Sequence, residues 1–158
     1  IHLLETPIDW GSLASDTCVM KLVDGVAEPY ETASLAEYKI QKNLDINAAR
    51  LRANRSYFTF ANKQIACDEL SRSDIDAVNG IVAITGNLPP GWQGAWKTID
   101  NSYVAIGNVA AWTNFFVAMV SKGSENFAYA QSLKAQLASA TTHAEVDAIT
   151  WETNAQLL

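Results

Sequence analysis

YFTFANKQIACD, residues 57–68, runs directly into ELSRSDIDAVNGIVAITG, residues 69–86. The first part is short and aromatic, and a polar Ala61-Asn62-Lys63 triplet interrupts it. That pattern predicts a tight hairpin, out along Phe58 to Phe60 and back along Gln64 to Cys67. In the second part Ile75, Val78, Ile81 and Val82 recur at helical spacing. Ser71 with Asp74, or Ser73 with Asp76, can cap the start of this helix, and Gly86 or Asn87 can end it. A hairpin that leads straight into a helix provides no crossover to a parallel strand, so the fold class expected is α+β.

The flanks repeat this alternation. Upstream, residues 33–55 read ASLAEYKIQKNLDINAARLRANR and predict a helix over 35–54. Ser34 and Glu37 have the spacing of a capping box. Leu44, Ala48 and Leu51, with Ile40 above them, form its expected apolar face. Downstream, Trp96 to Ile99 and Tyr103 to Ile106 predict a second hairpin across Asp100-Asn101. A long helix follows, with Trp112, Phe116, Met119, Gly123, Phe127, Ala130 and Leu137 near one face. Gly123 is the place where that helix would kink, because glycine costs about 1 kcal/mol against alanine in a helix interior. Thr142 and Glu145 form another capping box, opening a short helix that carries Val146, Ile149 and Trp151. At the other end, residues 1–16 read as an extended arm. Cys18–Val23 and Val26–Tyr30 read as strands around Asp24-Gly25, a dipeptide favoured in type I′ turns. Pro29 suits an edge strand. The expected organisation is therefore an arm and docking hairpin over residues 1–33, then a mainly helical compact domain over residues 34–158 with short antiparallel hairpins.

Composition narrows the function. The chain has 158 residues, 49% hydrophobic and 18% charged, with a net charge of −6. That charge repels phosphate, and the basic residues Arg50, Arg52 and Arg55 make only a thin run, so no nucleic acid is expected as partner. No apolar run reaches the 18 or more residues of a membrane span, so no membrane insertion is expected. Nor is a basic segment followed by an apolar stretch visible, as a signal peptide would require. Cys18 and Cys67 read as reduced thiols, with one disulfide as the alternative. His2 and His143 are too far from each other and from the cysteines for a zinc spacing. No nucleophile elbow, phosphate loop or separated carboxylate pair stands out. The expectation is a non-enzymatic protein without catalytic, cofactor or metal residues.

The aromatic residues carry the remaining signal. Trp10, Trp92 and Trp96 fall in loops or at strand starts, where an indole can grip a protein partner or a host surface glycan. Of these, Trp96 suits a lid on the core, and Trp92, in its Pro-Pro-Gly loop, suits an exposed contact. Trp112, Phe116, Met119 and Phe127 suit either core or a seam between identical chains, a trimer being the favoured homo-oligomer.

Three blocks, in order, resemble a small domain of unknown function found in tailed-phage tail and tail-fibre proteins. They are INAARLRANRSYFTFANKQIACDELSRSDIDAVNGIVAI (residues 46–84), WKTIDNSYVAI (residues 96–106) and YAQSLKAQLASATTHAEVDAITW (residues 129–151). In the first, Asp68, Ser71 or Ser73, and Ile75 stand at the acidic, serine and apolar positions that open the family's second helix. The resemblance covers roughly residues 40–151 and brings no catalytic residues. It implies a virion structural protein of a tailed phage, in or beside the tail fibre or baseplate, made in the host bacterial cytoplasm and partnered by other tail or fibre proteins. The alternatives it leaves are a tail-fibre assembly chaperone and a carbohydrate-binding host-recognition module.

Overall fold

The computed structural model describes the strands Cys18–Val23 (β1) and Val26–Glu31 (β2) and residues 34–151. Helix α1 (Leu35–Asn54) leads into the hairpin β3 (Tyr57–Phe60) and β4 (Lys63–Ala66), then α2 (Glu69–Thr85). The hairpin β5 (Ala95–Lys97) and β6 (Tyr103–Ala105) precedes the 31-residue α3 (Val109–Ser139) and the short α4 (His143–Ala148). The fold is a mainly helical α+β domain with antiparallel two-stranded hairpins. β1 and β2 pair from Cys18↔Glu31 to Val23↔Val26, as expected, whereas the Asp24-Gly25 turn, the arm and Trp10 lie outside the described residues.

Local chemistry explains most of the element ends. Ser34 accepts from the Glu37 amide while the Glu37 carboxylate accepts from the Ser34 amide, and Thr142 and Glu145 repeat this reciprocal cap on α4. Hydrogen bonds at these caps hold both carboxyls below their usual range, Glu37 chiefly through the Ser34 side chain and Glu145 chiefly through the Thr141 amide. α2 begins earlier than expected. Its cap is Asp68, which accepts from the Ser71 amide at 2.9 Å and the Ser71 hydroxyl at 3.0 Å. Ser71 and Ser73 are therefore inside the helix, and neither is its cap. Gly86 ends α2 in the left-handed region at φ 69°. The β3–β4 turn is shorter than the triplet suggested: Phe60 pairs with Lys63, and Ala61 and Asn62 alone turn the chain, both at positive φ as a type I′ turn requires.

Two apolar cores share one spine. The first half of α3 packs Trp112, Phe115 and Met119 against Phe58, Ile65 and Cys67 of the first hairpin region, Ile75 of α2, and Val104 and Ile106 of the second hairpin region. The second half packs Ala130, Leu133 and Leu137 against Ile46 of α1 and Val146 and Ile149 around α4. α1 runs antiparallel to α3. Lys39 Nζ reaches the Ala138 carbonyl at 3.1 Å near one end, and Asn126 Nδ2 donates to Asn54 Oδ1 at 2.8 Å near the other. The buried Asn126 amide, satisfied by Asn54, marks the seam between the cores. Tyr38 closes the lower core by donating to the Asp147 carboxylate and packing its ring 5.0 Å from that of His143.

The structure corrects three readings of helix faces. α1 turns Ile46 and Ala49 inward, while Ile40, Leu44 and Leu51 are 64, 53 and 50% exposed and Ala48 is exposed too. At 3.6 residues per turn Ile40, Leu44 and Leu51 lie within about 40° of one another, nearly opposite Ile46 and Ala49. α1 thus has two apolar faces, and the smaller one, with Ala49 allowing close approach, packs on α3. In α3 the fully buried phenylalanine is Phe115; Phe116 only flanks the core, and Phe127 is 51% exposed. α3 also continues through Gly123 as a single helix.

Candidate functional site

Between α2 and the second hairpin lies an open depression of about 760 Å³. Its wall on one side is Asp74 and Val78 of α2, and on the other Trp92, Trp96 and Lys97 with Asn101 and Tyr103. The sequence folds into this shape through two glycine-dependent turns. Pro89 accepts from the Trp92 amide at 3.1 Å across Pro90-Gly91, and Gly91 sits at φ 78°. Proline at the second position and a positive-φ glycine at the third make this a type II turn. Gly94, at φ 75°, then delivers the chain into β5, where its carbonyl accepts from the Ile106 amide at 2.8 Å.

The turn places Trp92 over the upper core. Its ring stacks on Trp96 at 6.1 Å and meets Trp112 edge-on at 5.6 Å, and its indole N–H donates to the Ile106 carbonyl at 2.7 Å. Trp96 in turn packs against Trp112 at 5.8 Å and Phe115 at 5.4 Å. Both side chains are half-buried. Trp96 is therefore a lid on the core, as expected. Trp92 departs from the freely exposed contact expected of it: one ring edge is anchored in the protein, and what remains faces the depression. The signal that could have revealed this is the spacing to Ile106, whose carbonyl satisfies the buried N–H that a core tryptophan needs.

The loop Thr98–Ser102, which lends Thr98, Ile99 and Asn101 to the depression, is held by its own side chains. Asp100 Oδ1 accepts from the Thr98 hydroxyl at 2.5 Å, the Ser102 hydroxyl at 2.6 Å and the Ser102 amide at 3.1 Å, while Oδ2 accepts from Lys63 Nζ at 2.8 Å. Lys63 first, then Ser102 and Thr98, hold the Asp100 carboxyl far below the usual carboxylate range. The Ile99 amide adds a backbone bond to Gln64 at 2.9 Å, so the two hairpins are fastened to each other. This lock was not read from the sequence, because Lys63 and Asp100 belong to separate hairpins. It gives the wall carrying Asn101 and Tyr103 a fixed position.

Other chemistry is arranged for structure. Burial pushes the Cys67 thiol up, which disfavours the nucleophilic thiolate. Cys18 lies where only the backbone is described. Among the described residues no three His, Cys, Asp or Glu side chains gather as a metal site would need, and no helix is long and apolar enough to cross a membrane.

A second surface stands apart from the depression. Ile40, Leu44 and Leu51 stand on the side of α1 turned away from α3, and on α3 itself Val117, Val120 and Phe127 are 52, 46 and 51% exposed. The Arg50 guanidinium carbon, 5.4 Å above the Phe127 ring, links α1 to α3. No curated protein and no solved structure matches the chain. A family model does, over residues 37–150, which spans α1 to α4 and takes in both cores and the depression. With more than half of its length so matched, the chain belongs to the family described as Domain of unknown function (DUF4376).

Proposed function

We propose that this protein is a non-enzymatic structural component of a tailed-phage virion, associated with the tail fibre or baseplate, and that it works by binding other tail chains and copies of itself. The observation that carries the assembly part is the exposed apolar face of α1. Ile40, Leu44 and Leu51, each half or more exposed, line one side of a helix whose opposite face is already packed on α3. Contiguous exposed apolar surface of this kind marks protein–protein contact. The phage context rests on the ordered likeness of residues 40–151 to tail-associated domains. On this reading residues 1–33 dock on a neighbouring tail protein while the outer face of α1 meets a second copy.

Quantitative mass spectrometry of purified particles from the source system tests the proposal. Copies per particle in a multiple of three or six support it. Absence from particles, with abundance in infected lysate, overturns it in favour of a tail-fibre assembly chaperone, which binds fibre subunits and leaves before maturation.

A further inference from the structure

We infer that the tryptophan-walled depression is a binding site for a neutral oligosaccharide. Three features of the site point to that chemistry. The wall opposite α2 offers indole surface from Trp92 and Trp96, whose outer edges face the depression while their inner edges are fixed by Trp112, Phe115 and the Ile106 carbonyl. A sugar ring presents a face of C–H groups to such a surface and loses little ordering free energy there, because the indoles are already held.

The second feature is the polar rim. The Asp74 carboxylate, the Lys97 ammonium, the Asn101 amide and the Tyr103 hydroxyl all line the depression, and none makes a side-chain hydrogen bond or ion pair with another described residue. They contrast with Thr98, which also lines the depression but is bonded to Asp100 and Ser102 of the adjoining loop. Together the free groups offer both donors and acceptors, as vicinal hydroxyls require, since each hydroxyl both donates and accepts. One carboxylate and one ammonium leave no net local charge, so neither an anionic nor a cationic ligand is favoured over a neutral polyol.

The third feature is size. A volume of about 760 Å³ falls within the range of small-molecule sites and has room for two or three sugar rings. Rigidity supports recognition as well. The Pro-Pro-Gly turn and the Lys63–Asp100 lock hold two parts of the wall opposite α2. This inference stands apart from the proposed virion role, because a saccharide site can exist on a protein found in particles or only in lysate.

The test titrates the full chain with maltotriose, cellotriose, mannotriose and galactotriose, following tryptophan fluorescence and the indole N–H signals by NMR. One of them is expected to shift the Trp92 and Trp96 signals, with the Trp151 signal unmoved. Asp74→Ala and Lys97→Ala alter exposed side chains and leave the core intact. Loss of a hydrogen bond to a charged group should weaken binding about tenfold in at least one of them. No spectral change with any of the four up to about 10 mM, the weak limit of specific affinity, overturns the inference. So does binding that neither substitution weakens. Nuclear Overhauser contacts from Trp96 to residues 1–33 or 152–158 overturn it too, because the chain itself then fills the site.

Discussion

Lys63 Nζ stands 2.8 Å from Asp100 Oδ2, and this pair joins the turn of one hairpin to the turn of the other. Both side chains are about half exposed, at 43 and 57%, so the ionic attraction alone is screened and weak. The bond gains its importance from company: the other oxygen of the same carboxylate accepts from Thr98 and Ser102. Asp100 thereby satisfies the buried Thr98 hydroxyl and fixes the loop on which the depression depends.

This lock makes stability sensitive to acid. The folded Asp100 carboxyl lies below its ordinary value of 3.8, so its stabilisation is fully present above that value and is lost as pH falls through the folded one. Asp68 and Glu37 are lowered in the same direction by their cap bonds, and Glu145 chiefly by the Thr141 amide. Wild-type protein should therefore lose urea resistance progressively below about pH 4. Asp100→Asn should be less stable than wild type at pH 7, with the difference narrowing towards pH 2. Parallel urea midpoints for the two proteins across that range would show that the lock contributes nothing.

Two glycines should respond to alanine with opposite signs. Gly86 sits at φ 69° at the end of α2, where an added Cβ is strained although nothing lies within 4 Å of it. Gly86→Ala should cost about 1–2 kcal/mol. Gly123 lies within the continuous α3, also with no atom within 4 Å of a built Cβ. Gly123→Ala should stabilise by up to about 1 kcal/mol through helix propensity and a less flexible unfolded chain. Chemical denaturation of both variants decides the matter, and a loss at Gly123 would reveal a bend or partner there.

Trp92 anchors the loop more than it decorates the surface. Trp92→Phe keeps the ring contacts and removes the N–H that Ile106 accepts, so it should cost about 1–3 kcal/mol. Trp112→Ala opens a cavity beside Trp92, Trp96 and Phe115 and should cost about 3–5 kcal/mol. Urea titrations measure both. Trp92→Ala is for the same reason a poor probe of ligand binding, since it loosens the loop and core lid together. If Trp92→Phe melted like wild type, the loop would owe its position to the Pro-Pro-Gly turn alone.

These cases show which features the sequence made legible. Capping boxes at Ser34–Glu37 and Thr142–Glu145 were readable because donor and acceptor are three residues apart. The alternation of hairpins and helices was readable for the same local reason. Which face of α1 is buried was not, because Ile40-Leu44-Leu51 and Ile46-Ala49 are both apolar and only the docking of α3 chooses between them. Phe115 and Phe116 posed the same ambiguity, as adjacent residues differ by about 100° around a helix. The Ala61-Asn62 turn hid itself by lacking glycine, although both residues take positive φ. In the candidate site, Trp92 and Trp96 were visible as types, but the walls from Asp74 and Asn101 come from elements joined only in three dimensions.

The outer strip carries the last prediction. Ile40, Leu44 and Leu51 line the side of α1 turned away from α3. Covering that surface with a second copy removes apolar area from water on both chains, at roughly 25 cal/mol per Å² before the cost of association. Full-length protein should therefore associate as its concentration rises, with a trimer the favoured state. Lysine suits a helix nearly as well as leucine, so Leu44→Lys with Leu51→Lys should leave the fold within about 0.5 kcal/mol per site. The like charges brought together in an assembled strip should hold the double variant as a monomer at concentrations where wild type is assembled. Sedimentation equilibrium of the two proteins reads this directly. If wild type stays monomeric at about 100 µM, or the double variant assembles equally well, the strip is not a self-association surface.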